Sequence, residues 1–280
     1  MEKKWTAIIE PKRRLFDLRL GELWNYRDLI WLFVKRDFQT KYKQTILGPL
    51  WFIIQPLFTT LMQTLVFGNI AGMPTDGLPQ FLFYMAGNVP WLYFSLCLTG
   101  TSNTFVLNAS VFGKVYFPRL TTPIATVISS ALNLLVQFAM FIGFFIYFAA
   151  IGAPIKVTWA AILTPLLVVQ IALLGLGFGI IISSLTTKYR DLQVLVSFGV
   201  SLWMYATPVI YSASTLSPTM FRILMLNPMS PIIELMRYGW LGEGTVSLLY
   251  WGISWVVTLA VVFIGIVVFN KVEKNFMDTV

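Results

Sequence analysis

The chain has 280 residues, of which 57% are hydrophobic and only 11% charged, with a mean hydropathy of +0.76; a soluble domain carries about 25% charged residues, so an ordinary soluble fold is excluded. The formal net charge is +8, but the basic residues flank long apolar tracts, which points to orientation in a membrane and to no nucleic-acid partner. Histidine is absent and Cys97 is the single cysteine, which removes the commonest general base and metal ligand and any internal disulfide.

Residues 1–45 hold eleven of the twenty Lys/Arg and six of the twelve Asp/Glu, a net of +5. They read as a cytoplasmic amino-terminal segment. An apolar run that begins only after so long a charged stretch does not have the pattern of a secretory signal peptide. Within the segment, residues 22–45 predict a helix on the inner membrane face, with Trp24, Trp31, Val34, Phe38 and Tyr42 in one stripe at helical spacing. Arg27 and Lys41 project into that stripe and would snorkel to the headgroups. Such a helix is either an interfacial anchor alone or also meets a partner or a lipid phosphate through Lys35, Arg36, Lys41 and Lys43.

From Ile46 to Gly113 the only charge is Asp76. Uncharged apolar tracts of this length are transmembrane helices, each of about 20 residues. The predicted fold is an all-α integral membrane protein, with a six-helix domain over 46–272 and a short cytoplasmic tail, 273–280. Spans are expected at about 47–69, 80–100, 120–150, 158–185, 192–211 and 249–270. In the first span Gln55, Thr59 and Gln63 recur every four residues. In the third, Thr122, Thr126, Ser129, Asn133 and Gln137 follow steps of three or four. Both stripes suit hydrogen bonding between helices or a neutral wall for a polyhydroxyl substrate. Gly175 and Gly179 form a small-xxx-small pair for close packing in the fourth span.

Residues 70–79 read as a turn, and 101–119 as a more polar loop with a short helix starting near Ser102 or Asn103. Counting Lys and Arg places the amino-terminal basics with Lys114, Arg119, Lys188, Arg190, Lys271 and Lys274 inside. Only Lys156, Arg222 and Arg237 remain outside, so both termini are expected to be cytoplasmic. Between the last two spans, 213–247 is too apolar for a plain loop. Ser217-Pro218 and Ser230-Pro231 each read as an N-cap followed by proline at the first helical position, predicting short outer helices at about 218–226 and 231–240. These either dip back into the bilayer over a cavity or lie as an interfacial hairpin. Glu234 and Arg237, three apart, can pair on one helix face.

Several chemistries lack their residues. No carboxylate lies in the centre of a span to relay protons or sodium. No G-x-x-x-x-G-K-[ST] phosphate loop is present, no cluster could hold a metal, and no Ser/His/Asp arrangement is possible. A membrane glycosyl- or acyltransferase would need paired acids or a histidine near a membrane face. A protein of this composition that moves something uphill draws its energy from another chain.

The stretch "RDFQTKYKQTILGPLWFIIQPLFTTLMQTLVFG" (36–68) resembles the first-span motif of the membrane subunits of bacterial type-2 ABC exporters for polysaccharides, the family handling O-antigen, capsule and teichoic acid. The matching features are Arg36-Asp37, Lys41-Tyr42-Lys43, Thr45-Ile46-Leu47-Gly48 (threonine replacing the usual serine), Trp51, Pro56 and Val66-Phe67. "GNVPWLYF" (87–94), "NASVFGKVYFPRLTTP" (108–123), "YRDL" (189–192) and "NPMSPIIELMRYGWL" (227–241) are similar to later motifs of the same family, in the same order.

The resemblance implies a homodimeric, channel-forming permease in the bacterial inner membrane, not itself an enzyme. It would be bound by two copies of a separate ABC ATPase subunit, with ATP and magnesium on that partner and no cofactor on this chain. It implies a coupling helix around Asn103, Asn108 and Lys114. An amino-terminal helix would flank a lateral opening for a polyprenyl-diphosphate-linked glycan, where Arg36, Lys41 and Lys43 would meet the phosphates. A channel wall would include Trp51, Gln55, Thr59, Tyr84, Trp91 and Tyr205. O-antigen leads among the substrates; a type-2 exporter of another lipid or a drug-like molecule is the alternative.

Overall fold

The computed structural model describes residues 20–42, 50–112, 114–115, 117–186 and 191–275. Lys43, Thr45, Gly48, Pro49, Gly113, Lys188, Tyr189 and Arg190 therefore lie outside the described residues, as do the side chains of Lys41 and Tyr42. The described residues are helical, with no strand among them. In order they are α1 (Leu20–Asn25), α2 (Arg27–Tyr42), α3 (Trp51–Gln63, continuing as a π-helix over Thr64–Ile70), α4 (Gln80–Ser102), α5 (Thr104–Phe112), α6 (Thr121–Ala150), α7 (Thr164–Thr186, entered through the 3₁₀ turn Trp159–Leu163), α8 (Leu192–Tyr205), α9 (Pro218–Leu226), α10 (Met229–Leu241) and α11 (Leu248–Asn275). The end bearing α9 and α10 is termed outer below, and the end bearing α5 inner, after the predicted orientation.

Among the described residues five helices are long and apolar enough to cross a membrane, where the sequence predicts six: Trp51–Ile70, Gln80–Ser102, Thr121–Ala150, Trp159–Thr186 and Leu248–Val272. The predicted fifth span, 192–211, appears as the 14-residue α8, only about 21 Å long at 1.5 Å per residue. Pro208 gives the reason for its early end. It has no N–H to continue the helix and disfavours helical backbone at the residue before it.

α4 is the centre of the bundle. Its most hydrophobic stretch is 78% buried against 22% for the spans at Trp51–Ile70, Thr121–Ala150 and Leu248–Val272, which lie at the periphery. α4 packs on α6 and α7, and α7 packs on α11. The glycine pair of α7 makes this approach possible. A Cβ on Gly175 would stand 2.6 Å from the Cys97 Cβ, and one on Gly179 would overlap the Thr101 hydroxyl. Without a hydrophobic driving force between helices in lipid, such close backbone contact is what holds them together.

The third-span polar stripe is turned inward: Thr122, Ser129, Asn133 and Gln137 are buried, which favours packing over a substrate wall. The first-span stripe divides. Gln55 and Thr59 stay exposed while Gln63 is buried. The apolar stripe of the amino-terminal helix divides too. Val34 is buried together with Phe33, whereas Trp24, Trp31 and Phe38 stay exposed. Phe33 and Val34 seat α2 in a cluster with Phe105, Phe112, Phe117 and Phe269 at the inner end.

Of the two predicted outer helices, α9 starts where expected, with the Ser217 hydroxyl accepting from the Met220 N–H at 3.4 Å. α10 starts earlier, at Met229. The Asn227 side-chain oxygen accepts the Met229 N–H at 3.2 Å, so Asn227 supplies the cap in place of Ser230, which is fully buried inside the helix.

Gly179→Val will push α7 off α4 and cost about 1–3 kcal/mol or more, read as a lower unfolding temperature of the purified protein in detergent. Gly143→Ala, where the added methyl meets nothing within 4 Å and alanine is the better helix former, is the control and will not lower that temperature.

Candidate functional site

The outer end is built around one ion pair. Arg237 Nη1 donates to Glu234 Oε1 at 2.7 Å, and the two side chains are 0% and 1% exposed. The remaining capacity of each group is largely met. Arg237 Nη2 donates to the carbonyls of Pro208 (2.9 Å) and Val209 (3.4 Å), and the guanidinium carbon lies 3.8 Å from the centre of the Phe83 ring. The second Glu234 oxygen accepts the Thr245 N–H at 2.8 Å. Burial pushes the Glu234 carboxyl above its ordinary value, and the Arg237 guanidinium and the Thr245 N–H pull it back. The pair therefore binds α10 to the turn after α8, to α4 and to the segment before α11. Gly87 permits the approach, since a Cβ there would stand 2.9 Å from the Val209 carbonyl oxygen and 3.2 Å from Arg237 Nη2.

Two further polar knots close the same end. Asp76, in the left-handed region at φ 54°, accepts from the Ser214 hydroxyl at 2.7 Å and from the Ser212 hydroxyl. The loop between α3 and α4 is thereby tied to the segment between α8 and α9. Asn227 accepts from Trp203 Nε1 at 3.1 Å and donates to the Ala206 carbonyl and the Thr207 hydroxyl, both at 2.8 Å. Behind it a chain runs from Trp251 Nε1 to Gln170 Oε1 (2.9 Å), from Gln170 Nε2 to the Ser254 hydroxyl (2.8 Å), and on to the Pro228 carbonyl (2.7 Å). The helix-breaking corner between α9 and α10 thus has its polar groups satisfied by protein.

The inner end carries an open helix face. α5 follows α4 directly, where the sequence expects a short helix. Phe105 stacks on Phe269 with ring centres 4.6 Å apart, and Phe112 packs on Phe117 at 5.6 Å. The other side of α5 and the turn after it is open, with Leu107 72% exposed and Val106, Lys114 and Val115 beside it. Asn103 ends α4, donating to the Thr99 carbonyl at 3.3 Å. Asn108 is buried, donating to the Thr104 carbonyl at 2.9 Å and receiving Arg36 Nη2 at 3.5 Å. Of the predicted coupling residues, Lys114 is thus on the open face and Asn108 behind it. Arg36 also grips Asp37 at 2.8 Å and lies over Phe33 at 4.7 Å, so it joins α2 to α5.

The residues predicted for a channel wall do not form one group. Trp51, Gln55, Thr59 and Tyr205 are exposed. Tyr84 and Trp91 are enclosed, at 0% and 5% exposure. Tyr84 lies beside Phe83 and Arg237, and Trp91 packs on Phe94 and Trp203. Their aromatic type suggested sugar stacking, but their places are those of packing residues in the central helix. Sequence reasoning missed Asn88, Asn227 and the Asp76 knot. Asp76 had a signal, as the only charge between Ile46 and Gly113. Asn88 and Asn227 had only their position next to a proline motif.

Arg237→Met will leave the Glu234 carboxyl buried without its cation, a loss of about 3–5 kcal/mol seen as a large fall in detergent unfolding temperature. Glu234→Leu combined with Arg237→Met will recover a substantial part of it, because an apolar pair removes the unpaired carboxyl.

The profile of the ABC-2 type transporter family matches residues 28–241. The chain is 27% identical over 257 residues to the O-antigen export system permease protein RfbA of Klebsiella pneumoniae, covering 90% of this chain and 94% of that one. It is 30% identical over 216 residues to the protein of the same name from Myxococcus xanthus, covering 77% and 80%. To the polysialic acid transport protein KpsM of Escherichia coli it is 26% identical over 253 residues, covering 87% and 93%. Four of the five membrane-length helices, the capped outer end and the exposed short helix at the inner end lie within residues 28–241, and the chain belongs to the ABC-2 type transporter membrane family.

Proposed function

We propose that the chain is the permease subunit of an exporter that carries a lipid-linked polysaccharide, O-antigen first among the candidates, across the bacterial cytoplasmic membrane. The observation that carries this reading is the similarity, along nearly its whole length, to permeases named for O-antigen and polysialic acid transport. In this reading α8, with the turn that follows it, is the sixth crossing. α9 and α10 dip back from the outer face, and both termini are cytoplasmic. Two copies form the channel, and each binds an ATPase subunit that holds ATP and magnesium. The chain itself performs no chemistry.

The physical fit supports it. A long neutral or anionic glycan needs a path with weak, repeated contacts and no deep site. Trp51, Gln55, Thr59 and Tyr205 offer ring faces, an amide and hydroxyls on the open side of α3 and α8. An amide turned outward in the first span is costly against hydrocarbon, which favours a second copy or an aqueous path on that side. Tyr84 and Trp91, being enclosed, support that wall from behind. Arg36 meets the phosphates of the carrier lipid, and Lys41 and Lys43 extend the same basic stretch. The open face of α5, centred on Leu107 and Lys114, is the surface for the ATPase.

Co-expression with the partner ATPase tests this directly. The wild-type chain will co-purify with it in equal numbers, and deletion of the gene will remove a surface glycan. Leu107→Asp, on an open face where folding is indifferent to the change, will reduce co-purification at least about tenfold, on the order of 1.4 kcal/mol or more, and glycan export with it. A chain that binds no ATPase, and whose deletion leaves every surface glycan intact, would overturn the proposal.

A further inference from the structure

The first span is held by a narrow seam. In α3 only Pro56, Thr60 and Gln63 are buried, residues that fall on one strip at helical spacing. Among the described residues, the side-chain hydrogen bonds between this span and α4 all come from one group. Asn88 Nδ2 donates to the Thr60 hydroxyl at 3.2 Å and to Gln63 Oε1 at 2.5 Å, and Asn88 is itself buried. Immediately beyond Gln63 the helix loosens into its π-helical segment, so the contact sits where regular helix ends. Apolar contacts do little to choose a rotation for such a span, because lipid tails are as apolar as its neighbours. A directional hydrogen bond does choose one.

We propose that Asn88 is a positioning residue for transport: it fixes the rotation of the first span about its own axis, and so decides which face of that span meets the substrate path. This rests on the reading that the Trp51, Gln55 and Thr59 face lines that path. A turn of about 100°, one residue step, exchanges Thr59 with Thr60 on the open side and carries Gln55 toward the seam. The clamp also orients Gln63, which lines a groove of about 410 Å³ with Phe58, Thr59, Met62, Val66 and Phe67. With Oε1 held by Asn88, the Gln63 amide N–H groups remain for the hydroxyls of a glycan moving along that groove, between the rings of Phe58 and Phe67.

The test uses the assembled transporter in cells, with Cys97→Ala as background because Cys97 is the only native cysteine. Thr59→Cys and Thr60→Cys are made separately, and each is labelled with a small hydrophilic methanethiosulfonate reagent. The ratio of their reactivities reports the rotation of the span. Thr60→Cys itself removes one of the two bonds from Asn88, and the bond to Gln63 remains to hold the span in that variant. With Asn88 present, Thr59→Cys will react faster. With Asn88→Leu the ratio will fall at least about fivefold, and export of the glycan from cells carrying only the Asn88→Leu change will fall by a similar factor, while co-purification of the ATPase stays at the wild-type level. The exchanged pair Asn88→Gln with Gln63→Asn keeps two amides of the same combined reach and will restore both ratio and export. Should the leucine variant fail to accumulate, Asn88→Ala is read in its place. An unchanged ratio in either variant, or an exchanged pair that accumulates but restores neither quantity, overturns the clamp. A fallen ratio with undiminished export removes this face from the substrate path and ends the transport role of Asn88, leaving the family assignment untouched.

Discussion

Arg237 has no exposed surface, and a guanidinium in that position is tolerable only if its surroundings supply oxygen on nearly every side. That requirement organises the outer third of the molecule. Glu234 has to sit one helical turn away, the chain after α8 has to bring the Pro208 and Val209 carbonyls within reach, and α4 has to present a ring face and a residue without a Cβ. Three separate stretches of sequence, α10, the turn after α8 and α4, thus converge on one cation. A buried pair of this kind is weak as a source of net stability, since desolvation offsets most of its attraction. Its effect is to make other arrangements costly: if any of the three stretches moves alone, a buried charge, carbonyl or ring face loses its partner.

The rest of the bundle divides by how tightly it is joined to that centre. α4, α7 and α11 meet through glycines, with Gly177 against Val261 and Val262 on one side of α7 and Gly175 and Gly179 against α4 on the other. Backbones this close leave no slack for sliding. α3 and α8 are different. Each presents a largely open face of large apolar residues, each has few buried positions, and their polar ties to the centre lie at the Asn88 clamp and at the outer knots of Asp76 and Asn227. Differences in packing density of this sort separate the elements that move from those that hold. The open helices also bear exposed neutral polar residues, Gln55 and Thr59 on α3 and Ser197 and Ser201 on α8.

How much of this could be read beforehand follows the same division. Span positions were legible because hydropathy is a property of consecutive residues, and the turn at 70–79, the short inner helix and α9 were legible from local caps and breakers. The end of α8 was overextended because the apolar run continues past Pro208, and periodicity weighs composition more than a single missing N–H. Which face of a helix is buried was less legible. In a soluble helix polar residues mark the outside, but in lipid they mark contact with protein, so the third-span stripe read equally as wall or seam. Glu234 and Arg237 were legible as a pair and not as a buried one, since spacing gives proximity on a helix and says nothing of what covers it. Asn88 stands in a motif noticed for its Trp and Pro, yet its role depends on Thr60 and Gln63, more than twenty residues away in the chain. A lone amide does not announce a partner at that distance.

The central helix joins the two ends mechanically. α4 runs unbroken from Gln80 to Ser102, about 34 Å at 1.5 Å per residue. At its outer end Phe83, Tyr84 and Gly87 lie against Arg237. At its inner end it passes through Asn103 into α5, whose Thr104 and Phe105 are wedged near Ser183 of α7 and Phe269 of α11. A load on the open face of α5 therefore acts on a rod whose far end is pinned to the ion pair. Glycine contacts hold α4 closely against α7, so such a load, where it is not taken up at Pro90 within α4, is passed along the helix. It has to emerge either as a tilt of the whole α4–α7–α11 unit or as a displacement of what is attached more weakly. The weakly attached parts are α3 through Asn88 and the loop at Asp76, both on the path from α4 to the open face. A packed core of this rigidity shifts between discrete arrangements and does not deform continuously, and the elements free to take up the difference are those whose faces the substrate would meet.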